Sequence, residues 1–307
     1  MILREPLTEQ AEQAELAKPV EQAQLPSAVL ARTAAARPSV MALSADLALA
    51  LAAAQAGGAA ALALQGHVAT RTKADGSPVS AADLAADAAI RAVLTGSPDD
   101  AILSEEIDDD PSRLEARRLW IIDPIDGTRD YLNGSGEWAV QVALAVDGVL
   151  VASVVSIPRE GLSIAGSPDG GAWIADASGT RRLEPVAAAE QVLITSKSSR
   201  NREQVDRVRS ALPEFGWMPA TSVGVKVWRM LQGRADLFVH ARAIHEWDVA
   251  APAGILAAAG GIATDLRGGT LAYNTPTALC PGLVFSRRSD HAELVARMEA
   301  AGVELMV

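Results

Sequence analysis

Hydrophobic positions follow helical spacing in some stretches of the chain and alternate or run together in others. Residues 44–65 and 80–94 are rich in Ala and Leu and long enough for helices. Ser44 stands as an N-cap for the first, and Ser80-x-x-Asp83 matches a capping box for the second. Leu119 to Ile122 form a short apolar run that reads as a buried strand and stops at Asp123. Gln141–Val146 and Val149–Ile157 flank Asp147-Gly148, which predicts a β-hairpin. Ser163–Trp173 adds a further strand pair.

Near residue 186 the pattern changes, and strands and helices begin to take turns. Strands are expected over Gln191–Thr195 and Ala235–His240. Helices are expected over Arg202–Leu212, Val223–Gln232, Asp248–Ala259 and Asp290–Ala301, the third stopping at Gly260-Gly261. The whole reads as an α/β fold with α+β character in its first half. Its halves are expected at 41–185, with most of the candidate chemistry, and 186–307. Residues 1–40 are rich in Ala, Gln, Glu and Pro and have no aromatic residue, so a disordered or loosely helical tail is expected.

Composition narrows the function. A net charge of −11 over 307 residues argues against a nucleic-acid polymer as partner, since such proteins present basic faces. A lone Cys280 cannot form an internal disulfide, which suits a small buried side chain in a reducing cytoplasm. Residues 1–15 carry acids and glutamines rather than a basic-then-apolar leader. Leu47–Leu64 is the most apolar stretch, but it is mostly Ala and contains Gln55 and Gly57-Gly58, so a buried or amphipathic helix is expected and no membrane. Monomer and homodimer both stay open.

The densest chemistry lies in Trp120-Ile121-Ile122-Asp123-Pro124-Ile125-Asp126-Gly127-Thr128. Asp123 falls at the end of a strand, where open α/β sheets place their ligands. Pro124 stiffens the turn. Two carboxylates and the Ile125 carbonyl then surround one point, a donor set suited to Mg²⁺. Gly127 lets backbone approach a ligand, and the N–H groups after it could cradle a phosphate. Alone, the segment is also ordinary Asp-Pro turn chemistry.

Three further segments complete a pattern that resembles the inositol monophosphatase and fructose-1,6-bisphosphatase superfamily of Mg²⁺-dependent, lithium-sensitive phosphatases. They are Lys73-Ala74-Asp75-Gly76-Ser77-Pro78-Val79-Ser80-Ala81-Ala82-Asp83, Ile102-Leu103-Ser104-Glu105-Glu106 and Glu246-Trp247-Asp248-Val249-Ala250-Ala251. Ser104 replaces the family's usual Gly. The resemblance covers about residues 44–300, so Met41 is expected as the true start. Gly136-Glu137-Trp138-Ala139-Val140, Glu246 and Thr221-Ser222-Val223-Gly224-Val225-Lys226 are similar to the CysQ-type 3′(2′),5′-bisphosphate nucleotidase branch. Thr221 replaces a Gly there, and His240 stands where many relatives carry an arginine.

The resemblance implies a layered α-β-α-β-α sandwich and two Mg²⁺ ions, with room for a third. Glu105, Asp123 and the Ile125 carbonyl would hold the first ion. Asp123, Asp126 and Asp248 would hold the second, with Asp123 bridging. Asp83 would bind a third, weaker metal or steer the attacking water, which Glu105 orients and Thr128 hydrogen-bonds. Gly127 and Thr128 would meet the hydrolysed phosphate, and Ser222 and Lys226 the other phosphate or the ribose.

The implied reaction converts adenosine 3′,5′-bisphosphate to AMP and phosphate. The 5′-phosphosulfate analogue would be a second substrate, which places the chain in sulfur assimilation. An inositol or sugar monophosphatase with the same metals is the first alternative. A catalytically silent metal or nucleotide sensor is the second. Residue by residue, plainer readings stand beside these: Asp83 as a helix cap, Glu105 as part of a solvated acidic run, Lys226 as an exposed helix lysine, and Asp248 as an N-cap beside a buried Trp247.

Overall fold

The computed structural model describes residues 43–67, 70–72, 78–95, 100–184, 191–197 and 202–305. The expected tail at 1–40, the start at Met41 and the Lys73 to Ser77 part of the first motif lie outside the described residues.

The chain opens with α1 (Ala45–Leu64), a small antiparallel pair β1 (Thr70–Thr72) and β2 (Pro78–Ser80), and α2 (Ala81–Leu94). Next come β3 (Ala101–Ser104), β4 (Arg118–Asp126), the short α3 (Thr128–Leu132), β5 (Ala139–Val146), β6 (Val149–Ile157), β7 (Leu162–Ser167), β8 (Gly171–Asp176) and β9 (Gly179–Arg182). The seven strands β3 to β9 form one sheet in sequence order, parallel at β3–β4 and antiparallel afterwards. Asp147 and Gly148 both have positive φ, 50° and 76°, the backbone that a two-residue hairpin turn needs.

The remaining elements are β10 (Val192–Ser196), α4 (Arg202–Ala211), β11 (Gly216–Ala220), α5 (Val223–Leu231), β12 (Leu237–His240), β13 (Ile244–His245), α6 (Glu246–Ala258), β14 (Ile262–Thr264), β15 (Leu279–Cys280), β16 (Leu283–Ser286) and α7 (His291–Ala300). A second sheet runs β11-β10-β12-β16-β14, with β10 parallel to β11 and β12 and the rest antiparallel.

Side-chain alternation builds the layers. Trp120 and Ile122 point to a core shared with α1 and α2, whereas Leu119 and Ile121 point to a core shared with α5 and α6. Ile194, Phe238 and Phe285 reach that same central core from the second sheet. Their neighbours Leu193, Leu237, Val239 and Val284 face Val208, Leu212, Leu294 and Met298 in and beside α4 and α7. The order is therefore helix, sheet, helix, sheet, helix, the sandwich implied by the resemblance.

By length and composition α1 is apolar enough to cross a membrane. Here Leu47, Ala50, Ala54, Gly57 and Ala61 form a buried stripe on it, and it packs against α2, β5 and β6. Its glycines permit the close approach: a Cβ on Gly57 would come within 2.6 Å of Ile90.

Candidate active site

Two parallel strands run side by side into the site. β3 pairs with β4 through Ser104 opposite Ile122, and the Glu105 N–H donates to the Ile122 carbonyl at 3.3 Å. Glu105 thus leaves β3 next to Asp123. β4 itself runs on to Asp126 rather than stopping at Asp123. Its pairing with β5 slips between Asp123, opposite Gln141, and Asp126, opposite Ala139. That irregularity, at Pro124 and Ile125, turns both carboxylates to one place. The Ile125 N–H fastens the bend by donating to Asp123 Oδ1 at 3.0 Å.

One ligand oxygen each from Asp123, Asp126 and Asp248 lies within 4.8 Å of the others. Asp123 and Asp126 are buried and Asp248 is partly exposed. Asp248 stands in the first turn of α6, whose N-cap is His245 and not Asp248. Glu105 and Asp83 are close enough to Asp123 to act on its charge.

Asp83 is both a cap and a member of the site. Its Oδ2 accepts from the Ser80 N–H and hydroxyl, each at 2.7 Å, completing the capping box of α2. Its Oδ1 faces the Thr128 hydroxyl at 3.4 Å. The Thr128 hydroxyl also lies 3.1 Å from the Ile125 carbonyl, so Asp83, Thr128 and Ile125 stand together. Gly127, between Asp126 and Thr128, has φ 96° and caps α3. A Cβ there would come within 2.9 Å of the Glu137 carbonyl, so only glycine fits both the turn and the approach.

Electrostatics set this cluster apart. Burial first, then Glu105, Asp126, Asp248 and Asp83, hold the Asp123 carboxyl well above the usual range. Burial, Asp126 and Glu105 do the same to Asp248. Asp83 is raised by burial against the pull of the Ser80 hydrogen bonds. Asp126 is raised by burial against its hydrogen bonds from Gly224 and Ser222 and the charge of Lys226. An all-oxygen set of crowded, partly desolvated carboxylates fits a hard divalent cation, which would reverse the local sign of the field.

Ser222 and Lys226, expected at the substrate, are both buried, and their hydrogen bonds run inward. The Ser222 hydroxyl donates to Asp126 Oδ2 at 2.7 Å and accepts from the Val225 N–H at 3.0 Å as the N-cap of α5. Lys226 is 2% exposed. Its Nζ donates to the Thr221 carbonyl at 2.5 Å and lies 4.9 Å from the centre of the Phe238 ring. Burial pushes its ammonium down to about 8, against the attraction of Asp126 and Asp248. The solvated helix lysine is therefore a buried countercharge under the carboxylates. His240 is pushed down to about 4 by burial and the nearby Lys226 and Arg242, so it is neutral at pH 7.

Two features went unread in the sequence. Gln141 is fully buried and its Nε2 donates to Asp126 Oδ2 at 2.6 Å. Its signal was a polar residue inside an otherwise apolar strand. The Glu137 carboxylate takes Lys197 on one oxygen and Arg229, at 2.5 Å, on the other. No local pattern announces a contact among residues 60 and 92 positions apart.

Comparison with known proteins gives the family and the fold. The profile of the Inositol monophosphatase family matches residues 42–302. Over 206 residues the chain is 34% identical to the 3'-phosphoadenosine 5'-phosphate phosphatase of Mycobacterium tuberculosis, covering 64% of this chain and 73% of that one. Over 209 residues it is 32% identical to the 3'(2'),5'-bisphosphate nucleotidase CysQ of Escherichia coli, covering 66% and 82%. Among solved structures, CysQ from Bacteroides thetaiotaomicron superposes with a TM-score of 0.68 at 24% identity, covering 80% of this chain and 98% of that one. An inositol monophosphatase from Anabaena gives 0.67 at 24%, covering 83% and 95%. The sandwich is the fold of these structures, and the chain belongs to the inositol monophosphatase family.

Proposed function

We propose that this chain is a Mg²⁺-dependent phosphatase that removes the 3′-phosphate of adenosine 3′,5′-bisphosphate, giving AMP and phosphate. The observation that carries the reading is the convergence of Asp123, Asp126 and Asp248 within 4.8 Å, beside Glu105 and Asp83. The names of the curated relatives support the substrate.

Glu105, Asp123 and the Ile125 carbonyl would hold one Mg²⁺, and Asp123, Asp126 and Asp248 a second. When bound, such ions neutralise phosphoryl oxygens and make water nucleophilic near neutral pH. Asp83, through its free edge toward Thr128, orients that hydroxyl. Thr128 in turn positions the attacking water, and Glu105 receives its proton. The water oxygen bonds to phosphorus, the P–O3′ bond breaks, and O3′ takes a proton from solvent. Gly127 would meet the phosphate through its backbone, and its lack of a Cβ lets the turn pack against the Glu137 carbonyl. Ser222 and Gln141 hold Asp126 in place, and Lys226 offsets part of the acidic charge from beneath.

The test is phosphate release from adenosine 3′,5′-bisphosphate with Mg²⁺, after chelation, and in Li⁺. Release that needs Mg²⁺ and falls in millimolar Li⁺ is expected. Binding of nucleotide without any release would favour the sensor instead.

A further inference from the structure

The reaction proposed above leaves one phosphate of the substrate uncleaved, and in a chain of net charge −11 that group needs cations of its own. Resting on the nucleotide-phosphatase reading, we propose that Lys197 and Arg229, held by Glu137, form the seat of the uncleaved phosphate and select bisphosphates over monophosphates.

The geometry begins at α5. Ser222, Lys226 and Arg229 are spaced i, i+4 and i+7, so they share one face of that helix. Ser222 touches Asp126 at one end of this stripe, and Arg229 touches Glu137 at the other. Lys226, between them, feels Asp126 and Asp248 as well as Glu137 and Arg229. The ladder therefore leads from the carboxylate cluster to a second charged group, about 10 Å along the axis from Ser222 to Arg229 at 1.5 Å per residue. Helical side chains lean toward the N-terminus, so Arg229 reaches back toward the cluster.

The cations at this end can reach a ligand, and Lys226 cannot. Lys226 is buried and already bonded to the Thr221 carbonyl. The Lys197 side chain is 42% exposed, Arg229 17% and Glu137 20%. Two cations share one carboxylate, leaving a net positive charge beside an acidic cluster. A phosphate that joins Glu137 on these two cations leaves neither cation unpaired, so its binding strands no charge. The unused donors of the Arg229 fork and of the Lys197 ammonium suit a tetrahedral dianion. Glu137 holds both cations, one on each carboxylate oxygen. Its backbone carbonyl also packs where a Gly127 Cβ would be, which ties the seat to the turn bearing Thr128.

The experiment compares kcat/KM for adenosine 3′,5′-bisphosphate with that for 3′-AMP, which lacks the second phosphate, in the full chain. Lys197→Met and Arg229→Met should each lower the ratio about tenfold or more, mainly through KM for the bisphosphate, as expected for a lost charge-assisted bond. Lys197→Arg should restore most of it. An unchanged ratio, with both substrates falling together, would make the trio structural and overturn the proposal. If the wild-type chain released phosphate from neither nucleotide but did so from another phosphate ester, the nucleotide reading would fall first and the seat with it. If the wild type cleaved both nucleotides equally well, the reading would stand and the seat alone would be wrong.

Discussion

Asp126 shows how much a single carboxylate can carry. Its Oδ2 accepts from Gln141, Ser222 and Gly224, which fixes the side chain from three directions. Asparagine can offer the same oxygen to the same donors without the charge. Asp126→Asn should therefore keep the fold and lower kcat by orders of magnitude, measured by phosphate release and circular dichroism. Ser222→Ala removes both a helix cap and a bond to a buried carboxylate. A loss of about 1–2 kcal/mol in chemical unfolding is expected, with a fall in kcat rather than a rise in KM. The acids themselves were legible because Asp123 and Asp126 interrupt an apolar run. The partner of Asp126 was not, since Ser222 lies 96 positions away.

At the level of elements, the strand-end geometry depends on how β3 is tied down. The Ser104 hydroxyl donates to Asp87 Oδ1 at 2.7 Å, and Asp87 pairs with Arg91 at 2.6 Å. The serine that departs from the family's glycine thus links β3 to α2 just before Glu105. Ser104→Gly should loosen Glu105 and lower kcat severalfold while leaving substrate KM near its wild-type value. The long helices were readable to within a residue or two, because their caps and apolar content are local: Ser44 accepts from Leu47 N–H, and Ser80 forms its box with Asp83. The strands β1 to β3, β9, β11 and β13 to β16 were not read, since two to five residues carry no reliable period. The extension of β4 to Asp126 was also missed, because proline in a strand reads as its end.

Across the whole molecule, the layers converge on a site that is electrostatically costly without a cation. Asp83, Asp123, Asp126 and Asp248 are all raised in the folded state. Below the unfolded carboxylate pKa of about 4 all are protonated in both states and the cost is absent. As pH rises the unfolded chain ionises first, so the metal-free fold loses stability until the raised folded values are passed. Surface carboxylates such as Asp176 and Glu214 are lowered and act in the opposite sense. The difference in Tm between wild type and Asp126→Asn cancels them. Without metal it should grow in favour of the variant from about pH 4 toward pH 7, and Mg²⁺ should reverse it by binding linkage. A pH-independent difference would count against a crowded, unneutralised cluster. The sandwich as a whole was foreseen through the four motif segments, whereas periodicity alone reached only the α/β class.

The most direct test of the account is phosphate release at saturating Mg²⁺ from adenosine 3′,5′-bisphosphate, inositol 1-phosphate, fructose 1,6-bisphosphate and histidinol phosphate. A preference of about a hundredfold for the nucleotide over the two monophosphates, inositol 1-phosphate and histidinol phosphate, is expected, the scale of two charge-assisted contacts. Equal or better turnover of inositol 1-phosphate would contradict it, leaving the carboxylate site but removing the nucleotide from it.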